Sequence, residues 1–215
     1  MLRRAASTTL RCCSCYLSYL PKVRPVGIDR DVVAHHEAGH AVAAHVLGVN
    51  VERVAIQSEG DAAGHVVHDY GCNMNEIIHE EEPDRQWALE RAVIISLAGE
   101  IAQRRFRAES VEEWHGGADR ISVHHVLDNL AGATDQELHD AWWHLLVLRT
   151  ERLVTTHWLA IEWLAAVLVK QTVIEGVAEI EHTIGDAQLP LKHRGKRLSV
   201  SERITLVSGK PLTRP

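Results

Sequence analysis

His36 and His40 stand four residues apart with Glu37 between them, in the run AHHEAGHAVAAHVLG over residues 34–48. A helix turns about 100° per residue, so positions four apart share a face and two imidazoles there can hold one Zn²⁺ ion. Glu37 sits one step round the helix, off the ion's first shell but close enough to accept a proton from water on the metal. This HExxH layout is that of a zinc hydrolase, with His36 and His40 as ligands and Glu37 as the base.

A chain with 15 histidines in 215 residues can produce such a string by accident, so its flanks must carry the reading. Asp29 or Asp31 can cap a helix start, Gly48 can end it, and Val33, Ala43 and Leu47 share the histidine stripe. The spacing predicts one half-buried helix of about five turns with its histidine pair on the buried side. Gly39 in mid-helix costs roughly 1 kcal/mol against Ala, which makes sense where another backbone or a substrate comes close. His35 and His45 fall off the ligand face and read as solvent-facing or ordinary core histidines.

A catalytic zinc needs a third protein ligand and an open fourth position. The pattern HExxHxxGxxH is excluded, because its remaining positions hold Ala43 and Val46. Glu100, in SLAGEIA, could supply a carboxylate from a following helix. Asp119, in WHGGADRI, could supply one after a glycine pair; it also suits an ordinary helix N-cap, and the two roles are compatible. His115, His124 and His125 are lesser candidates.

The surrounding chain is 46% apolar and 24% charged, ordinary for a globular protein, and its length suits one compact domain over residues 29–187. No apolar stretch approaches the roughly 20 residues that a membrane span requires, so no transmembrane segment is expected. The net charge of -6 argues against nucleic-acid binding. Residues 1–28 carry five Lys or Arg, no acid, and Cys12, Cys13 and Cys15; they read as a basic N-terminal extension, compatible in composition with an organelle presequence. With Cys72 alone elsewhere, neither a disulfide framework nor a cysteine metal site is supported, and a cytoplasmic setting is expected. Residues 188–215 read as a basic flexible tail.

Between these ends the expected fold class is mainly α (α+β). Val51–Gln57 and Gly64–His68 form a β-hairpin across Ser58-Glu59-Gly60-Asp61. An acidic loop over 71–83 follows, and then a helix over Asp84–Phe106. Further helices, near 119–130, 134–150, 151–171 and 175–184, make a C-terminal helical bundle, with Trp142, Trp143, Trp158 and Trp163 assigned to core packing.

The ordered segments HEAGHAVAAHVLG, VERVAI with AGHVVH, ISLAGEIAQRRF, GGADRISVHHVL and THWLAIEWLAAVLVKQTVIEGVAEI resemble the peptidase domain of the FtsH family of zinc metallopeptidases, over roughly residues 30–186. The resemblance implies that His36 and His40 are zinc ligands, Glu37 the catalytic glutamate and Asp119 the third ligand. The sequence departs from the family in its loop, where Ala118 is followed directly by Asp119, whereas the family usually places two residues between the Ala and the ligand Asp. It departs again in lacking a GxxxxGK[ST] phosphate loop, whereas family members carry an AAA ATPase module. The expected activity is a zinc-dependent metalloendopeptidase acting on unfolded or small polypeptide substrates, with any ATP dependence supplied by a separate AAA ATPase, and a homo-oligomer is a second possible assembly. Two alternatives stand beside it: a noncatalytic zinc-stabilised module that binds polypeptides or an ATPase, and a stand-alone zincin that uses Glu100.

Overall fold

The computed structural model describes residues 29–56, 64–69, 83–111, 117–132 and 134–189. The N-terminal extension, most of the C-terminal tail, the loop over 71–82, the hairpin turn, His115 and all four cysteines lie outside them. The described chain is mainly helical with one small antiparallel sheet, as expected: α1 (Arg30–Val46), β1 (Asn50–Ala55), β2 (His65–Asp69), α2 (Pro83–Phe106), a 3-10 turn (Ala108–Ser110), α3 (Gly117–Ala131), α4 (Gln136–Thr156), α5 (Trp158–Gln171), β3 (Val173–Glu175) and α6 (Val177–Asp186).

Asp29 caps α1, its carboxylate accepting from the Asp31 amide at 2.9 Å. The helix closes at Leu47, followed by Gly48 with φ of 73°, a conformation that favours glycine. The half-buried helix expected from the stripe is instead enclosed on every side: from Val32 to Ala44 all residues except His36 are buried. The reason is bulk. Ala34, Ala38, Ala41, Ala43 and Ala44 let α2, α5 and the sheet close around α1 without a polar face having to form.

Helix α2 serves two cores. Ile95, Ala98 and Ala102 belong to the cluster around α1, the sheet, α5 and α6. Ala88, Leu89, Val93, Ile94 and Leu97 pack instead with Val123 and Leu127 of α3 and Leu146 of α4. The α1–α2 crossing is unusually close, for a Cβ on Gly39 would stand 2.5 Å from the Ala98 carbonyl oxygen and 2.7 Å from the Ala102 Cβ.

The sheet has the order β2-β1-β3, one strand more than the expected hairpin. β3 is only three residues long, and it pairs with β1 as Arg53↔Glu175, Val54↔Ile174 and Ala55↔Val173. Too short for a visible alternation, it is made by its partner. β1 and β2 pair from Asn50↔Asp69 to Ala55↔His65, with the register shifting between Val51 and Arg53. That bulge at Glu52 turns both Val51 and Val54 toward the core, although residues three apart lie on opposite faces of a regular strand.

The break expected between 150 and 151 falls at His157 instead, where α4 and α5 bend by 71°. Thr150 is fully buried mid-helix, with its hydroxyl bonded to the Leu146 carbonyl at 2.7 Å. No glycine or proline marks the bend; it lets Leu146 join the second core while Ile161, Leu164 and Leu168 join the first. The four tryptophans on these helices are half-buried rather than fully enclosed. No single described helix is long and apolar enough to cross a membrane.

Replacing an exposed helical glycine by alanine stabilises a protein by roughly 1 kcal/mol through propensity. At Gly39 the new methyl meets backbone, and overpacking costs typically 1–3 kcal/mol or more. Gly39→Ala is therefore expected to lower folding stability by about 1–2 kcal/mol net, read as a lower urea midpoint.

Candidate metal centre

The two histidines expected on one helix face meet there, with Nε2 of His36 and Nε2 of His40 3.0 Å apart. Asp119, in the first turn of α3, brings its Oδ2 to 3.4 Å from His36 Nε2 and 3.6 Å from His40 Nε2. It lies inside the helix rather than at its N-cap, where its negative charge is favoured by the helix dipole. Glu100 does not join this cluster; it is ion-paired with Arg104 on its own helix. His124 lies elsewhere, stacked on His139 and Trp143, and His125 is exposed.

The protonation pattern of the imidazoles follows from their far sides. His40 Nδ1 lies 2.7 Å from the Ile95 carbonyl oxygen, which can only accept, so Nδ1 carries the proton. His36 Nδ1 lies 2.9 Å from Oε1 of Gln103, whose Nε2 donates to the Ser110 carbonyl at 3.0 Å. That second bond orients the amide, so His36 Nδ1 also carries its proton. Both Nε2 atoms then turn lone pairs toward each other and toward a carboxylate. Three acceptors that converge without a donor repel unless a proton or a metal ion stands among them, and among the described residues this is the one group whose geometry could hold a metal ion.

The charges respond accordingly. Burial opposes a charged His40, but the neighbouring Asp119 carboxylate overcomes it and raises the His40 pKa. Burial likewise opposes an ionised Asp119, yet the two imidazoles hold its carboxyl well below the ordinary carboxylate range. Glu37 is buried beside the cluster. Desolvation pushes its carboxyl up to about 7, opposed by the His36 charge and helped by Asp119.

Two glycines make room for these groups. A Cβ on Gly99 would stand 2.2 Å from His40 Nε2, and one on Gly64 would stand 2.6 Å from the Glu37 carboxylate. The expectation that Gly39 admits a close neighbour is met by α2, and Gly99 returns the favour on the other helix. His35 is a core histidine, stacked on Phe106 with ring centres 3.7 Å apart, and His45 is half-buried.

His68 was not among the candidates, yet it stands close enough to feel the charges of His40 and Asp119. It pairs with Val51 and shares the core-facing side of β2 with Val66. Burial pushes its pKa down from the ordinary 6.5 to about 4, with the His40 charge adding to the effect. In sequence its only signal was alternation with Val66, which does not distinguish a site residue from a structural one. Gln103 was also unmarked, being one polar residue in a helical run.

The chain matches no protein-family model and no curated protein. The functional case therefore rests on the site's own chemistry.

Gly99→Ala is expected to displace the buried His40 ring and weaken metal binding by at least tenfold while leaving the fold intact, measured by competition with a chelator. A second outcome concerns pH. A histidine whose folded pKa is depressed contributes stability above its unfolded value that is lost as pH falls toward the folded one. The metal-free protein should lose on the order of 3 kcal/mol through His68 between pH 6.5 and about 4. His68→Gln should flatten that part of the stability–pH curve in urea titrations.

Proposed function

We propose that this chain is a zinc-dependent metalloendopeptidase of the FtsH type, cleaving unfolded or small polypeptides. The observation that carries the proposal is the triangle of three acceptor atoms, with edges of 3.0, 3.4 and 3.6 Å, beside a buried glutamate. Ligand atoms about 2.0–2.1 Å from a tetrahedral zinc stand about 3.3 Å apart, so the triangle fits that ion closely. Two neutral imidazoles and one carboxylate are also a donor set typical of catalytic rather than structural zinc.

Zinc bound there would supply a Lewis acid for the scissile carbonyl and a water acidified toward neutral pH. The chain's own residues supply the rest. His36, His40 and Asp119 would hold the ion. Glu37, whose buried carboxyl has its pKa pushed up in the metal-free protein, would take a proton from the attacking water and return it to the leaving amine. Its raised value reflects a water-poor pocket, which also strengthens charge stabilisation during attack.

The sheet supports the substrate class. β2 is at one edge of the β2-β1-β3 order, and no described strand pairs with its outer side. Gly64, just before β2, lies so near Glu37 that a Cβ there would stand 2.6 Å from its carboxylate. An extended polypeptide adding to that edge would pass beside the catalytic glutamate, with backbone hydrogen bonds that are indifferent to its sequence. Such recognition suits a substrate already unfolded, whether by a separate ATPase or by its own instability.

Glu37→Gln is expected to retain zinc and to lose casein hydrolysis by a factor of at least about 100. Asp119→Ala is expected to lose the zinc and Glu100→Ala to keep it, measured by metal analysis after dialysis. Wild-type protein that holds zinc yet cleaves nothing, with or without ATP and an ATPase, would instead identify a polypeptide-binding module.

A further inference from the structure

On the reading that His36, His40 and Asp119 hold a metal ion, we propose that Gln103 is a positioning residue of the site, fixing His36 as the tautomer able to bind metal. Gln103 is buried on α2, in the turn after Gly99, and touches no reacting atom itself. Its amide faces two groups with opposite demands. His36 Nδ1, 2.9 Å from Oε1, needs an acceptor if Nε2 is to keep its lone pair. The Ser110 carbonyl, 3.0 Å from Nε2 of Gln103, needs a donor, and the Ser110 hydroxyl lies 3.2 Å from the same nitrogen.

The Gln103 amide presents one acceptor and one donor at the same end, as this pair of neighbours demands. The Ser110 contact settles which way it turns, because an amide rotated by 180° would oppose its oxygen to the Ser110 carbonyl and offer N–H groups to His36. In that flipped state His36 would have to present its Nδ1 lone pair to Gln103, and its Nε2 would carry the proton and face the cluster as a donor. The chain of control thus runs from Ser110 to Gln103 to His36. Ser110 itself hydrogen-bonds from its hydroxyl to the Arg107 carbonyl at 2.7 Å, so the end of the relay is anchored in the turn after α2.

The relay also ties the ligands together. His40 takes its tautomer from the Ile95 carbonyl and His36 from Gln103, both on α2, although both ligands sit on α1. Ser110 begins the stretch of chain that leads on to Asp119. One buried amide therefore touches His36 on α1 and the turn after α2 at once.

The test separates positioning from mere packing. Metal affinity is measured by competition between the protein and a chromophoric chelator for Zn²⁺ and Co²⁺, alongside urea stability of the metal-free forms. Gln103→Leu removes the acceptor and should weaken both metals by about 10–100-fold. Gln103→Glu keeps an acceptor for His36 whichever way it turns, so its affinity should stay within about threefold of wild type. Its metal-free stability should nevertheless fall, because a carboxylate oxygen then faces the Ser110 carbonyl. If the leucine variant does not fold, Gln103→Asn, whose amide is one methylene too short to reach both partners, takes its place with the same expected loss. A leucine or asparagine variant that binds metal as tightly as wild type overturns the proposal, and so does a glutamate variant whose affinity falls with its stability to the leucine level. Those outcomes leave the zinc-site reading standing, whereas wild-type protein that binds neither metal overturns both.

Discussion

The site depends on how closely α1 and α2 approach each other. At Gly39 and Gly99 a single added methyl would meet the opposite helix at 2.5 Å or less, so the crossing exists only because both residues lack a side chain there. That proximity sets the Ile95 carbonyl and the Gln103 amide against the outer nitrogens of His40 and His36. Without it the two imidazoles would still share a helix face, but these two partners would not decide which nitrogen of each pointed into the cluster. Helix packing and ligand chemistry are here the same constraint.

The convergence of acceptors comes at a cost to the metal-free fold. Two lone pairs and a carboxylate within 3.6 Å of one another repel unless a proton or a metal ion sits among them. A carboxylic acid buried at Glu37 adds a further penalty through lost hydration. Sites that break local rules in this way are held in place by the rest of the structure, and here two apolar cores flank the cluster. Zinc would remove most of the conflict, which ties its binding to stability as well as to catalysis.

Much of the fold was legible in the sequence because periodicity reports burial. The span of α1, the long α2 and the first two strands fell within a few residues of their observed bounds, each with a repeating apolar pattern or a capping residue behind it. The third strand was not legible, since Val173–Glu175 is too short to show a period and depends on β1 for its form. The bend at His157 was misplaced, because no breaker residue marks it and only the division of Leu146 and Ile161 between two cores requires it. The full enclosure of α1 was also missed: alanine is neutral in a stripe, and its smallness matters only once neighbours are in place.

The sequence by itself determined the chemistry on offer: two imidazoles one turn apart, a glutamate beside them, and a short list of carboxylates that could complete the set. Spacing within one helix is a local property, fixed by the rise and turn of the backbone. The resemblance singles out Asp119, but spacing leaves Glu100 open; tertiary structure decided that Asp119 meets the pair while Glu100 turns to Arg104, that Glu37 is buried deeply enough to lift its pKa, and that Gln103 and His68 belong to the site's surroundings. Those outcomes are distances and burial between segments far apart in the chain, and no local pattern encodes them.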